Sequence, residues 1–171
     1  DHEAFRFPSQ LFPQIASEPH YTLAELRELV DYATAAGVTL VPEIDLPGHS
    51  SALVRAAPAV FGLADHAHHG SIVNLGRDAT REALAQLIGE VAAVFAGSPW
   101  FHLGGDEVDL SGVAEDPDCK AKMQALGVED TQELYRDFLL AMHKVVQKLG
   151  KKTLVWEGFA RGGKVQMPKD I

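Results

Sequence analysis

The chain has 171 residues, 46% hydrophobic and 23% charged, an ordinary globular composition for one domain with a sizeable core. Its formal charge of −9, from 24 acids against 15 bases, argues against a nucleic-acid partner, which would need a basic face. It has no apolar run of the length that spans a membrane, and the single cysteine, Cys119, allows no internal disulfide.

The opening DHEAFRFPS has no Met, no basic region and no apolar leader. The closing VQMPKDI has no cap or tail. Both ends are expected to lie inside a longer chain, so localisation stays open. The first regular element is a helix opened by Thr22 with Glu25 three positions on, a capping box. Leu23, Leu26, Leu29, Val30 and Ala33 keep helical spacing, and Gly37 ends it. VTLVPEI (38–44) reads as a strand buried on both faces, with Pro42 at a bulge or end. A second helix spans 78–95, with Leu84, Leu87, Ile88, Val91 and Phe95 on one side. WFHL (100–103) is the next strand. Asp116-Pro117 starts a helix to Leu126. Asp130 and Glu133 suggest another capping box, before a core stripe of Leu134, Phe138, Ala141, Val145 and Leu149. TLVW (153–156) is the last strand. The segments HAHHG, GRD and SGVAEDPD read as loops.

Alternation of strands and helices predicts an α/β fold with a parallel sheet. Three strands end in Glu43 and Asp45, in Asp106 and Glu107, and in Trp156 and Glu157. In such folds the C-terminal strand ends carry the site. Eight barrel units need about 250 residues, so this chain is expected to supply roughly half of a barrel.

In LGGDEV (103–108) strand alternation would send Asp106 and Glu107 to opposite faces. The paired glycines permit a bulge or turn that brings both carboxylates into one pocket. Partial desolvation would let one keep its proton while the other stays ionised, as acid catalysis at a glycosidic oxygen requires. The plain alternative is a solvated turn with two surface acids. A nucleotide-cyclase GGDEF hairpin shares four letters, but Val108 stands fifth and the setting is a βα series. In EIDLPGHS (43–50), Pro47-Gly48 turns the chain and His49 follows, able to orient a carboxylate or to be a plain turn histidine.

Together, HLGGDEV (102–108), EIDLPGHS upstream and VWEG (155–158) downstream closely resemble the family 20 glycoside hydrolases, the β-N-acetylhexosaminidases. NLGRDATREALAQLIGEVAAVF (74–95) is similar to the family's helix leading into the catalytic strand. The resemblance implies a (β/α)8 TIM barrel, with residues 1–171 running from the loop after its second strand to just before its sixth. It implies removal of terminal β-linked N-acetylglucosamine or N-acetylgalactosamine with retention, by attack of the substrate's own acetamido oxygen through an oxazolinium intermediate. Glu107 would be the general acid/base and Asp106 would orient the acetamido group. Asp1 and His49 would form a chain behind the acid. Trp156 would wall the sugar pocket, unless it closes the core, and Glu157 would bond a sugar hydroxyl, unless it is a salt-bridged rim acid.

No cofactor and no metal are implied. The expected partners are glycans bearing N-acetylhexosamine, not nucleic acid or membrane. The chain departs from the family pattern in lacking counterparts of its strand-one arginine, its later tryptophans and its acetamido-bonding tyrosine. His2 stands where a second Asp is frequent, and Val113 where Trp is frequent. The loop histidines His66, His68 and His69 beside Asp65 read as chance neighbours rather than metal ligands, and Cys119 as structural. Arg6 is open between substrate contact and loop capping. The rival expectation is an inactive half-barrel that self-associates into a homo-oligomer to cover its open strand edges.

Overall fold

A computed structural model describes residues 4–157 and 162–171. Helix α1 (Leu23–Ala35) carries the predicted reciprocal cap, Thr22 Oγ1 accepting from Glu25 N–H at 3.1 Å while the Glu25 carboxylate accepts from Thr22 N–H at 2.7 Å. An extended segment, 38–46, leads into two short helices, α2 (Ser51–Ala56) and α3 (Pro58–Phe61). Then come α4 (Asp78–Val94), β1 (Trp100–His102), α5 (Pro117–Leu126), α6 (Thr131–Lys148) and β2 (Lys152–Leu154). The pair α2 and α3 has no counterpart in the predicted elements: each is too short to show a helical period.

β1 and β2 pair in parallel, with Phe101 opposite Thr153. The 38–46 segment lies on the other side of β1, also parallel, through a bridge at Glu43 and His102. Ile44 N–H donates to His102 O at 3.1 Å, and His102 N–H to Pro42 O at 2.9 Å. Pro42 contributes only a carbonyl, so the predicted strand contracts to this short ladder.

The sheet has one covered face. Ile44, Leu46, Phe101, Leu103 and Thr153 are buried, four of them in the core cluster that also holds the buried residues of α4 and α6, and α6 packs on both β2 and α4. The alternate positions Val41, Glu43, Trp100, Leu154 and Trp156 are exposed, so burial of segment 38–44 on both faces is not met within the described residues. The α4 stripe is as expected, with Leu84, Leu87, Ile88 and Val91 buried. On α6 the buried line instead runs through Leu134, Phe138, Leu139, Met142 and Val146, and Leu149 is exposed. A helix packed on both a sheet and a neighbouring helix buries a wider arc than one narrow stripe.

Asp130 caps α6 through Gln132 N–H at 2.9 Å, but Glu133 does not complete a box. Its carboxylate accepts from Lys164 N–H and Val165 N–H, both at 2.8 Å, and pairs with Arg136 at 2.6 Å. It therefore pins the C-terminal loop instead. The Val165 and Lys164 amides, aided by Arg136, lower its pKa from 4.5 to about 2. A depressed acid stabilises the fold above its unfolded pKa and loses that contribution as pH falls through its folded value. Chemical unfolding of the protein and of Glu133→Gln, compared from pH 7 down to 2, should therefore converge below pH 4.5. A gap that is constant with pH would refute this.

Candidate functional site

The acidic turn after β1 is shaped by its glycines. Gly104 and Gly105 have φ of +68° and +97°, the left-handed region that glycine enters at no steric cost. They end the strand before the acids arrive, so strand alternation no longer governs Asp106 and Glu107. A Cβ on Gly104 would sit 1.9 Å from Asp45 Oδ1, because Asp45 approaches to accept the Gly105 N–H at 3.0 Å. The Tyr135 hydroxyl, from α6, donates to Gly105 O. Thus the 38–46 segment and a helix both hold the turn, through the N–H and the carbonyl of Gly105.

Glu107 itself has φ of +49°, as does His49. For a non-glycine residue this backbone is costly and persists only where surrounding contacts enforce it, a condition that gathers at functional sites. Both residues were singled out from the sequence, and their side chains meet. His49 Nε2 stands 3.6 Å from Glu107 Oε2 and 3.9 Å from Asp106 Oδ2.

The two acids differ in setting. The Glu107 side chain is 79% exposed and that of Asp106 33%. Asp106 Oδ1 is buried without a hydrogen-bond donor among the described residues, an arrangement that costs free energy until a donor arrives. Of the two carboxylates, that of Asp106 is the more sheltered and that of Glu107 is largely exposed. Burial raises the pKa of Asp45, helped by the Asp106 charge and opposed by the Gly105 N–H and His49. Burial likewise raises that of Tyr135.

Glu43, Asp45, His49, Asp106 and Glu107 line a cavity of about 570 Å³. Its apolar lining includes Phe5, Leu26, Val91 and Phe95.

Trp156 is fixed beside this turn: its backbone N–H donates to Gly104 O at 2.8 Å and its indole N–H to Glu43 Oε1 at 3.0 Å. Its side chain is half-exposed in this chain. Glu157 is exposed at the same rim. Asp1 lies outside the described residues. Asp45 was read as a strand-end acid but given no role, and Tyr135 was missed as a site residue. For Asp45 the signal was its place in EIDLPGHS two residues before the turn, whereas nothing in the local α6 pattern marks Tyr135.

Asp45, His49 and Asp106 offer ligand-type atoms within 4.8 Å of one another. The loop histidines instead take separate partners: His68 pairs with Asp65 at 2.8 Å, His69 faces Ser111 at 3.4 Å and His66 faces Leu63 O at 3.1 Å. Arg6 donates to Pro19 O and also lines the cavity. Cys119 is buried, its thiol pushed up to about 12 chiefly by burial, and so is inert at neutral pH. Val113 is fully buried.

Comparison with known proteins places this geometry. The family profile described as "Glycosyl hydrolase family 20, catalytic domain" matches residues 3–171. The "Beta-hexosaminidase" of Vibrio furnissii is 36% identical over 153 residues, covering 85% of this chain and 25% of the relative. The "Beta-hexosaminidase subunit alpha" of Bos taurus is 28% identical, covering 92% of this chain and 32% of its own. Among solved structures, the GH20 exo β-N-acetylglucosaminidase of Vibrio harveyi, in complex with N-acetylglucosamine, superposes with a TM-score of 0.84 at 29% identity. That superposition covers 97% of this chain and 30% of the other. The chain therefore spans about a quarter to a third of the length of these relatives.

Proposed function

Since the chain belongs to glycosyl hydrolase family 20, through its catalytic domain, we propose that it carries the acid centre of a retaining β-N-acetylhexosaminidase. The observation that carries this is the pairing of an Asp106 oxygen buried without a donor among the described residues with an outward Glu107, both carboxylates reaching within 4 Å of His49 Nε2.

In this reading Asp106 accepts the N–H of the substrate's 2-acetamido group. That polarises the amide, and its carbonyl oxygen attacks the anomeric carbon as the glycosidic bond breaks. Glu107 gives its proton to the leaving oxygen and afterwards takes one from the water that opens the oxazolinium ring. No protein nucleophile is needed, which sets the family apart from the two-carboxylate pattern of most glycosidases. Adjacent acids suit the task because the two reacting positions, C1 and the C2 substituent, are neighbours on one sugar ring. His49 orients Glu107, with Asp1 proposed behind it. Trp156 and Glu157 are proposed to contact the sugar, and the sugar is N-acetylglucosamine or N-acetylgalactosamine at a non-reducing end.

The barrel is part of the same proposal. A parallel sheet is normally covered on both faces, yet one face here is open and carries Val41, Trp100, Leu154 and Trp156. Closure of the sheet on itself would turn that face inward. The cavity's apolar lining, which includes Leu26, Val91 and Phe95, then suits a preceding strand.

The test compares an aryl β-N-acetylglucosaminide with the matching aryl β-glucoside, which lacks the acetamido nucleophile. The purified protein should hydrolyse the first and leave the second almost untouched. Equal turnover of both would refute substrate assistance. No turnover of either, together with dimers or larger species in size-exclusion chromatography, would favour the self-associating half-barrel.

A further inference from the structure

We propose that Glu43 is a positioning residue that holds the Trp156 indole against the glycine turn carrying Asp106 and Glu107. The proposal rests on the hexosaminidase reading in one respect, that the Trp156 ring walls the sugar pocket.

Packing does not hold this ring, since Trp156 is 51% exposed on the open face of the sheet. Three directed contacts do. Its backbone N–H is bonded to Gly104 O at 2.8 Å. Its ring lies 4.6 Å from the His102 ring, centroid to centroid. Its indole N–H meets Glu43 Oε1 at 3.0 Å. The first anchors only the backbone, and the second is a tilted ring contact, 48° between the planes, without a directed bond. Among the described residues, the indole bond is the directed contact that sets the ring's rotation.

The tautomer of His102 shows why Glu43 is committed to the tryptophan. His102 Nδ1 accepts the Gly104 N–H at 3.0 Å, so in the neutral ring the proton sits on Nε2. Glu43 Oε1 lies 3.4 Å from that same Nδ1, but the lone pair there has no proton to offer it. The donor at hydrogen-bond distance is the indole. Glu43 and Asp45 are alternate residues and share one face of their segment. One grips Trp156, the other the Gly105 N–H. Two side chains of a single segment thus set the spacing between the aromatic ring and the acidic turn.

The test uses Glu43→Ala, Glu43→Gln, Trp156→Phe and the Glu43→Ala/Trp156→Phe pair. Glutamine keeps an acceptor oxygen, and phenylalanine keeps a ring without the N–H. The protein has two tryptophans, so its two indole N–H resonances are assigned by loss of one in Trp156→Phe. In Glu43→Ala the Trp156 indole proton should move upfield, and in Glu43→Gln it should return most of the way. On the aryl β-N-acetylglucosaminide, Glu43→Ala should lower kcat/KM about tenfold, mainly through KM, the size of one partly exposed hydrogen bond to a charge. Glutamine should recover most of that loss, and the paired variant should be no worse than Trp156→Phe alone. An unmoved indole resonance, additive losses in the pair, or a glutamine variant as poor as alanine would overturn the proposal. Failure of the hexosaminidase reading looks different: the unaltered protein then leaves the aryl substrate intact, and the indole shift alone decides whether Glu43 holds Trp156.

Discussion

Glu107→Gln should lower turnover of an N-acetylhexosaminide with a sugar leaving group by about 10³-fold, within the range that positioned proton transfer contributes. The substitution keeps the side chain's size and removes only the proton it would donate. The loss should shrink for a dinitrophenyl glycoside, whose leaving group departs without protonation. Asp106→Asn should cost a comparable factor with both substrates, because the acetamido group must be polarised whatever leaves. An asparagine can also present its N–H₂ to the amide N–H, which reverses the interaction. The discriminating measurement is therefore the ratio of kcat/KM for good and poor leaving groups in each variant. Full activity of Glu107→Gln would sink the acid assignment, and equal rescue of both variants would sink the division of labour.

Gly104→Ala should destabilise the protein by about 3 kcal/mol, combining the left-handed backbone cost with an overpacked contact. Its φ is +68°, and the added Cβ would lie 1.9 Å from Asp45 Oδ1 and 2.6 Å from Asp45 Cα. A flexible side-chain tip could swing away, but the Asp45 backbone belongs to the segment bonded to β1. Relief would have to displace that segment and break the bond from Gly105 N–H to Asp45. Activity should fall further than stability explains, since the same turn aims Asp106 and Glu107. Gly89→Ala is the internal control: it lies within α4 with no atom near the new Cβ, and helix propensity predicts about 1 kcal/mol of stabilisation. Denaturant midpoints of the two variants should move in opposite directions, and a Gly104→Ala protein as stable as the parent would contradict the steric argument.

Much of this protein could be read from the amino-acid order alone. Capping residues Thr22, Asp116 and Asp130 set three helix starts, because a cap is satisfied within one turn of chain. The acidic turn was legible for the same local reason: only glycine pairs end a strand so abruptly, and HLGGDEV with EIDLPGHS marks the family. Glu133 shows where local reading stops. Its spacing from Asp130 suits a capping box, but the Lys164 and Val165 amides compete for the carboxylate, and they arrive from 31 and 32 residues away. The exposure of one sheet face, the divergence of Asp106 and Glu107 into inner and outer settings, and the clamping of Gly105 by Asp45 and Tyr135 are likewise tertiary. Each depends on which groups desolvate or donate across the fold, and no run of consecutive residues encodes that. The sequence alone determined which acids are paired and where each strand delivers its polar end. Tertiary structure alone decided which carboxylate oxygen is left waiting for a donor, because that is set by neighbours from three separate segments.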